Sequence, residues 1–221
     1  MTKGEPFFYY FSSALLFTVV LAFSMNILLK NYHLDSSMSV IIIHGISMLL
    51  WYSLLFWQTR LIRIDNINTH KKLGLLSIVL SIVIVISGIM IAISNYKGER
   101  EALTLFGNFS GIFIFGILYT FAVINRYKSD IHKRLIIVAS IAMLSPALVR
   151  ILRIFDINDF VTLPFWLIYI AALPIYDYRK FKKIHRATLL ATVFLLIVLF
   201  GGSAYAMSEG WANLAESFFG K

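Results

Sequence analysis

The chain contains no cysteine. Disulfides, iron–sulfur clusters and thiol nucleophiles are thereby excluded. Charge is scarce as well: 14% of the 221 residues are Asp, Glu, Lys or Arg. A soluble domain carries about a quarter. Neither HExxH nor HxxxH occurs, and no cluster of paired carboxylates is present. The last long apolar run, Arg186 to Met207, holds no lysine. That omission excludes a retinal-type Schiff base there, together with any other lysine chemistry in that segment.

What is abundant is apolar side chain: 59% hydrophobic residues and a mean hydropathy of +0.81. No water-soluble fold hides that much apolar surface, so the bilayer must act as solvent. Stretches of about 20 apolar residues cross the hydrocarbon as helices. Seven are present, at about 7–29, 39–61, 72–94, 103–124, 133–153, 160–177 and 186–207. The expectation is an all-α integral membrane bundle of seven transmembrane helices, a single domain over 1–221. The first run is too long for a signal-peptide core and is expected to be a retained helix. Pro146 is expected to bend the fifth span; Pro164 and Pro174 lie in the sixth.

The formal charge of +9 does not point to nucleic acid, because topology accounts for it. Loops after the second, fourth and sixth spans hold 13 of the 20 basic residues. The opposite set is Lys30, Lys97, Arg100, Arg150 and Arg153. The positive-inside rule then places the N-terminus in the cytoplasm and the C-terminus outside. Trp51, Trp57, Trp166, Tyr119, Tyr169, Tyr176 and Tyr178 are candidate interface anchors. Trp211, Leu214, Phe218 and Phe219 recur at helical spacing, which suits a short amphipathic piece on the outer surface.

Three times a histidine sits beside basic residues where a span begins: His70-Lys71-Lys72, His132-Lys133-Arg134 and His185-Arg186. The topology puts all three at the cytoplasmic face, with Gln58 and Asp177 at the same depth. Residues at i, i+3/i+4 and i+7 share a helix face. From His70 that face reads Gly74, Ser77, Ser81, Gly88, Ala92, a row suited to close helix packing. The row from His132 ends at Pro146 and Arg150. His44 heads the row that ends at Gln58. The candidate ligands are therefore His70, His132, His185 and Asp177, with His44, Gln58 and Arg150 in second place. The outer loop residues Arg153, Asp156 and Asp159 read as a solvated, ion-paired group.

Three readings of the chemistry stay open. Imidazoles plus a carboxylate suit a transition metal, with an open position for catalysis. Two of these three imidazoles on facing helices suit haem b; a second haem in the other leaflet would need a partner for His44, and only His33, in a loop, is available. Helix N-termini with basic neighbours suit a phosphate, an anionic lipid or a small-molecule ligand. Against all three stands the plain reading that His-Lys and His-Arg pairs are good interfacial helix starts. The function expected is a metal- or haem-dependent membrane enzyme or redox/assembly factor. The alternative is a transporter or a lipid- or anion-binding protein without a cofactor.

The run His44…Gln58…His70-Lys71-Lys72-Leu73-Gly74, followed by His132-Lys133-Arg134-Leu135 and Tyr176-Asp177-Tyr178-Arg179, resembles a group of bacterial multi-pass membrane proteins in which H…Q…HR-x-L-G recurs. The resemblance covers about a fifth of the chain. It implies a bacterial cytoplasmic membrane and brings no activity with it.

Overall fold

With no water in the hydrocarbon layer, each spanning segment must satisfy its own N–H and C=O groups, and a helix does so. The computed structural model describes residues 5–29, 38–98 and 102–220. Lys30, His33 and Arg100 lie outside them. Among the described residues no strand occurs. Seven helices there are long and apolar enough to cross a membrane. The first four spans are α1 (Pro6–Leu29), α2 (Met38–Arg63), α3 (Ile67–Ser94) and α4 (Ala102–Ile124). The fifth is split into α5 (Ser129–Ala142) and α6 (Ser145–Ile154). The sixth is α7 (Thr162–Phe181). The seventh is α8 (Arg186–Leu196), a π-helical turn at Ile197–Gly201 and α9 (Gly202–Ala206). The last element, α10 (Glu209–Phe219), is too short to span.

Span five is the centre of the bundle. In its 18-residue apolar stretch 67% of residues are buried, against 39% or less in the corresponding stretch of every other span. Its interior is Leu135, Ile137, Val138, Ala139, Ile141 and Leu144, all below 9% exposure. The expected bend is a break at Met143–Leu144. Pro146 has no N–H for the Ala142 carbonyl, so the ladder stops there. The freed backbone is satisfied from neighbouring spans. Tyr52 on α2 donates its hydroxyl to the Ser140 carbonyl at 2.8 Å, and Trp166 on α7 donates Nε1 to the Ile141 carbonyl at 2.8 Å. Trp51 donates to the Ser140 hydroxyl at 3.1 Å.

Those bonds correct one expectation. Trp51, Trp166 and Tyr119 are not interface anchors; all three are buried. An indole N–H or a phenol in the interior needs an acceptor, and the broken helix supplies acceptors to both tryptophans. Trp57 and Tyr178 do stay exposed. The small-residue row of α3 is close-packed at Gly88, where a Cβ would come 3.0 Å from Ile112 and 3.2 Å from His44. At Gly74 a Cβ would meet nothing within 4 Å, so packing there is loose. Gly202 lets the last span approach α4: a Cβ there would sit 2.5 Å from the Phe106 ring.

The tail forms the expected amphipathic helix. Ser208 caps α10, accepting from Trp211 N at 3.4 Å. Trp211 Nε1 donates to the Ala102 carbonyl at 2.7 Å, and Tyr96 donates to Glu216 at 2.9 Å. Ala215 is buried while Phe218 is exposed. One face of α10 therefore lies on the ends of α3 and α4.

Candidate functional site

The basic end of the bundle gathers the C-termini of α2 and α7 and the N-termini of α3, α5 and α8. Local signals fix the starts of α3 and α8 and the end of α7. Asn66 caps α3 by accepting from Thr69 N at 3.2 Å. Lys182 closes α7 in a left-handed conformation, φ 56°. His185 caps α8: its Nδ1 accepts from Ala187 N at 3.1 Å.

At the heart of this end is a buried ion pair. Arg134 and Asp177 are both 0% exposed. The guanidinium meets the carboxylate through Nε, 3.2 Å from each oxygen, and through a terminal nitrogen at 2.6 Å from Oδ1. The second carboxylate oxygen also accepts from the Thr188 hydroxyl and from the His185 backbone N–H at 3.2 Å. Arg134 spends another N–H on the Asp130 carbonyl at 2.9 Å. A charge this deep persists only when paired and hydrogen-bonded. This pair meets both conditions and joins α5, α7 and α8.

Around it runs a more exposed network. Glu5 pairs with Lys133 at 2.7 Å and also with Lys180. Lys133 meets Asp130 at 2.7 Å. Burial alone would raise the Glu5 carboxyl; the hydrogen bonds and charges of Lys133 and Lys180 outweigh it and hold the group below the usual range. Burial, followed by the Arg134 charge, holds the His185 imidazole below its usual pKa. A neutral ring there agrees with Nδ1 acting as an acceptor.

The named histidines divide into two places. His185 belongs to the Arg134–Asp177 network, where its role is to cap α8. His70 and His132 stand outside that network, within electrostatic range of each other. Nδ1 of His132 donates to the Ala122 carbonyl at 2.7 Å. That acceptor fixes the proton on Nδ1 and leaves the Nε2 lone pair available when the ring is neutral. Gln58 donates Nε2 to the His70 carbonyl at 3.2 Å. Among the described residues, Gln58 Oε1 and His70 Nδ1 are buried without a hydrogen-bond partner. Two orphaned acceptor-capable atoms are unusual in a packed interior.

His44 and Arg150 sit apart, at the other end. His44 Nδ1 bonds Ser87 Oγ at 2.9 Å, while Ser87 gives its own proton to the Val83 carbonyl at 2.6 Å. His44 is thus the donor. Arg150 lies 5.6 Å from the Phe23 ring and helps line a cavity of about 50 Å³ with His44, Met48 and Met143. Arg153 at the end of α6 is paired with Asp159, as its spacing suggests.

Among the described residues no three His, Asp or Glu side chains are grouped to hold a metal ion. Asp177 has both oxygens committed to Arg134 and its neighbours, and His185 caps its helix. What the pattern of the chain did not bring out is Arg134, read there as a topology charge. Its signal is helical: Arg134 precedes Ile137, Val138 and Ile141 on one face, and all three are buried. No protein-family model, no curated protein and no solved structure matches the chain.

Proposed function

We propose that the protein is a polytopic membrane protein with a cytoplasm-facing ligand site built on His70, His132 and Gln58. Its ligand is a transition-metal ion, bound by His132 Nε2, His70 Nδ1 and Gln58 Oε1. Imidazole nitrogen with an amide oxygen suits zinc, copper, iron or nickel, and three donors leave a position open for substrate or a redox partner. The activity class is then a metal-dependent membrane enzyme or a redox/assembly factor in a bacterial cytoplasmic membrane.

One observation carries this reading: two buried acceptor-capable atoms with no hydrogen-bond partner among the described residues, at the same end of the bundle as a histidine whose Nδ1 is tied to a carbonyl. A backbone acceptor on Nδ1 is the usual support of an imidazole that ligates through Nε2. Ion pairing removes part of the electrostatic objection. Helix N-termini and basic side chains oppose a cation, but Lys133, Arg134 and Lys180 are neutralised by Glu5, Asp130 and Asp177. The same neutralisation weakens the anion- or lipid-binding alternative, to which Lys71, Lys72 and Arg186 still contribute.

The test is metal analysis and a visible spectrum of protein purified in mild detergent. About one equivalent of a single transition metal is expected, lost in His70→Ala and His132→Ala and weakened in Gln58→Leu. A Soret band that disappears in the two histidine variants would assign the same imidazoles to haem b. Protein with neither metal nor Soret band, after growth in metal-replete medium, overturns the proposal.

A further inference from the structure

The break in span five leaves room beside it. The cavity of about 50 Å³ noted above lies where Met143 and Pro146 face α1 and α2. Such a space takes one ion or a few water molecules. It is far below the roughly 300 Å³ at which pockets for organic ligands begin. A haem or an organic substrate does not fit.

Three of its lining side chains carry metal donors. His44 and Met48 stand one turn apart on one face of α2, and Met143 stands at the break. The imidazole is held in one tautomer. Its Nδ1 donates to Ser87 Oγ at 2.9 Å, because the Ser87 proton is spent on the Val83 carbonyl. The lone pair is therefore on Nε2. The ring meets α3 through its Nδ1–Cε1 edge: Cε1 lies 3.2 Å from the place a Gly88 Cβ would take. No α3 residue lines the cavity, so the opposite edge, which carries Nε2, is the one that borders it.

We infer that this cavity binds a single Cu(I) ion through His44 Nε2 and the thioether sulfurs of Met48 and Met143. A lone pair on Nε2 accepts a Lewis acid or a proton donor and repels an anion. Thioether sulfur selects a soft metal, Cu(I) above zinc or iron. Arg150 sharpens that choice. It lines the same cavity, and its charge opposes a divalent ion about twice as strongly as a monovalent one. Ser87 acts on the imidazole as outer-shell partners of ligating histidines do. With no cysteine in the chain, no thiolate competes for the ion. The site is separate from the one proposed on His70 and His132. Seventeen residues of α3, ~26 Å, lie between His70 and Ser87.

The test is anaerobic titration of the detergent-purified protein with Cu(I), in competition with bicinchoninate, followed by X-ray absorption of the loaded protein. Wild type is expected to take one equivalent from the chelator and to show sulfur scatterers around copper. The site on His70, His132 and Gln58 has no sulfur, so sulfur in the copper shell tells the two apart whether or not that site binds metal. Met48→Leu and Met143→Leu nearly conserve volume. Each should lose at least roughly tenfold in Cu(I) affinity, the scale set by loss of an outer-shell partner alone. The double variant should show no sulfur around any copper it retains. Thermal unfolding establishes that the variants are folded; if the double variant is not, the single variants decide. Wild-type affinity in the folded variants overturns the inference. So does a wild type that takes no Cu(I) from the chelator, or one whose copper has only nitrogen and oxygen neighbours.

Discussion

Arg134 and Asp177 show how much a single residue's meaning depends on its neighbours. The sequence marked Asp177 as a candidate ligand because the topology sets it at the depth of His70, His132 and His185. Its role is visible only with Arg134 in place: both oxygens are taken by the guanidinium, Thr188 and the His185 backbone. A histidine-centred reading of the His132-Lys133-Arg134 triplet hid this, because Arg134 lies two residues, about 200° around the helix, from His132. Breaking a buried pair from one side leaves the other charge stranded, at a cost of about 3–5 kcal/mol. Asp177→Ala is therefore expected to lower the unfolding temperature in detergent sharply. The double variant Arg134→Met with Asp177→Leu should lose much less than the two single losses combined, since no charge is left behind. A double variant as unstable as that combination would show that the pair does not act as a unit.

The elements were the most legible level. Seven apolar runs became seven spans within a few residues of their expected ends, because a bilayer allows few alternatives to a helix of that length. The alternation of basic loops placed His70, His132, His185, Gln58 and Asp177 at one end, where they lie. Hydropathy cannot show which spans touch, so it could not reveal that span five is central or that Tyr52 and Trp166 serve its break. These two side chains belong to different helices and meet span five only through tertiary packing. Removing such a donor leaves a buried carbonyl with a poorer partner, a loss of about 1–3 kcal/mol. Tyr52→Phe and Trp166→Phe are each expected to destabilise the protein by that amount, measured as the shift in thermal midpoint. Tyr178→Phe, an exposed position, should leave the midpoint unchanged.

For the whole molecule, the question is what keeps seven helices, each greasy on every side, in one arrangement when lipid solvates them as well as they solvate each other. The basic end answers with charge. Glu5 stands at the entrance of α1 and grips Lys133 of α5 and Lys180 of α7, residues 128 and 175 positions away in the chain. The first span is thereby tied to the core already locked by Arg134 and Asp177. Because the two lysines hold the Glu5 carboxyl below its usual range, the folded state favours its ionised form. The stabilisation is complete above the ordinary glutamate value of about 4.3. It fades as pH falls through the depressed folded value, where the folded protein takes up the proton as well. Wild type should therefore lose thermal stability on acidification through this window. Glu5→Gln, which has no proton to gain, should begin less stable at neutral pH and show a flatter acid limb. Parallel acid limbs for the two proteins would assign the loss to other carboxylates and leave α1 held by packing and by its Ser12–Thr59 and Thr18–Tyr169 hydrogen bonds.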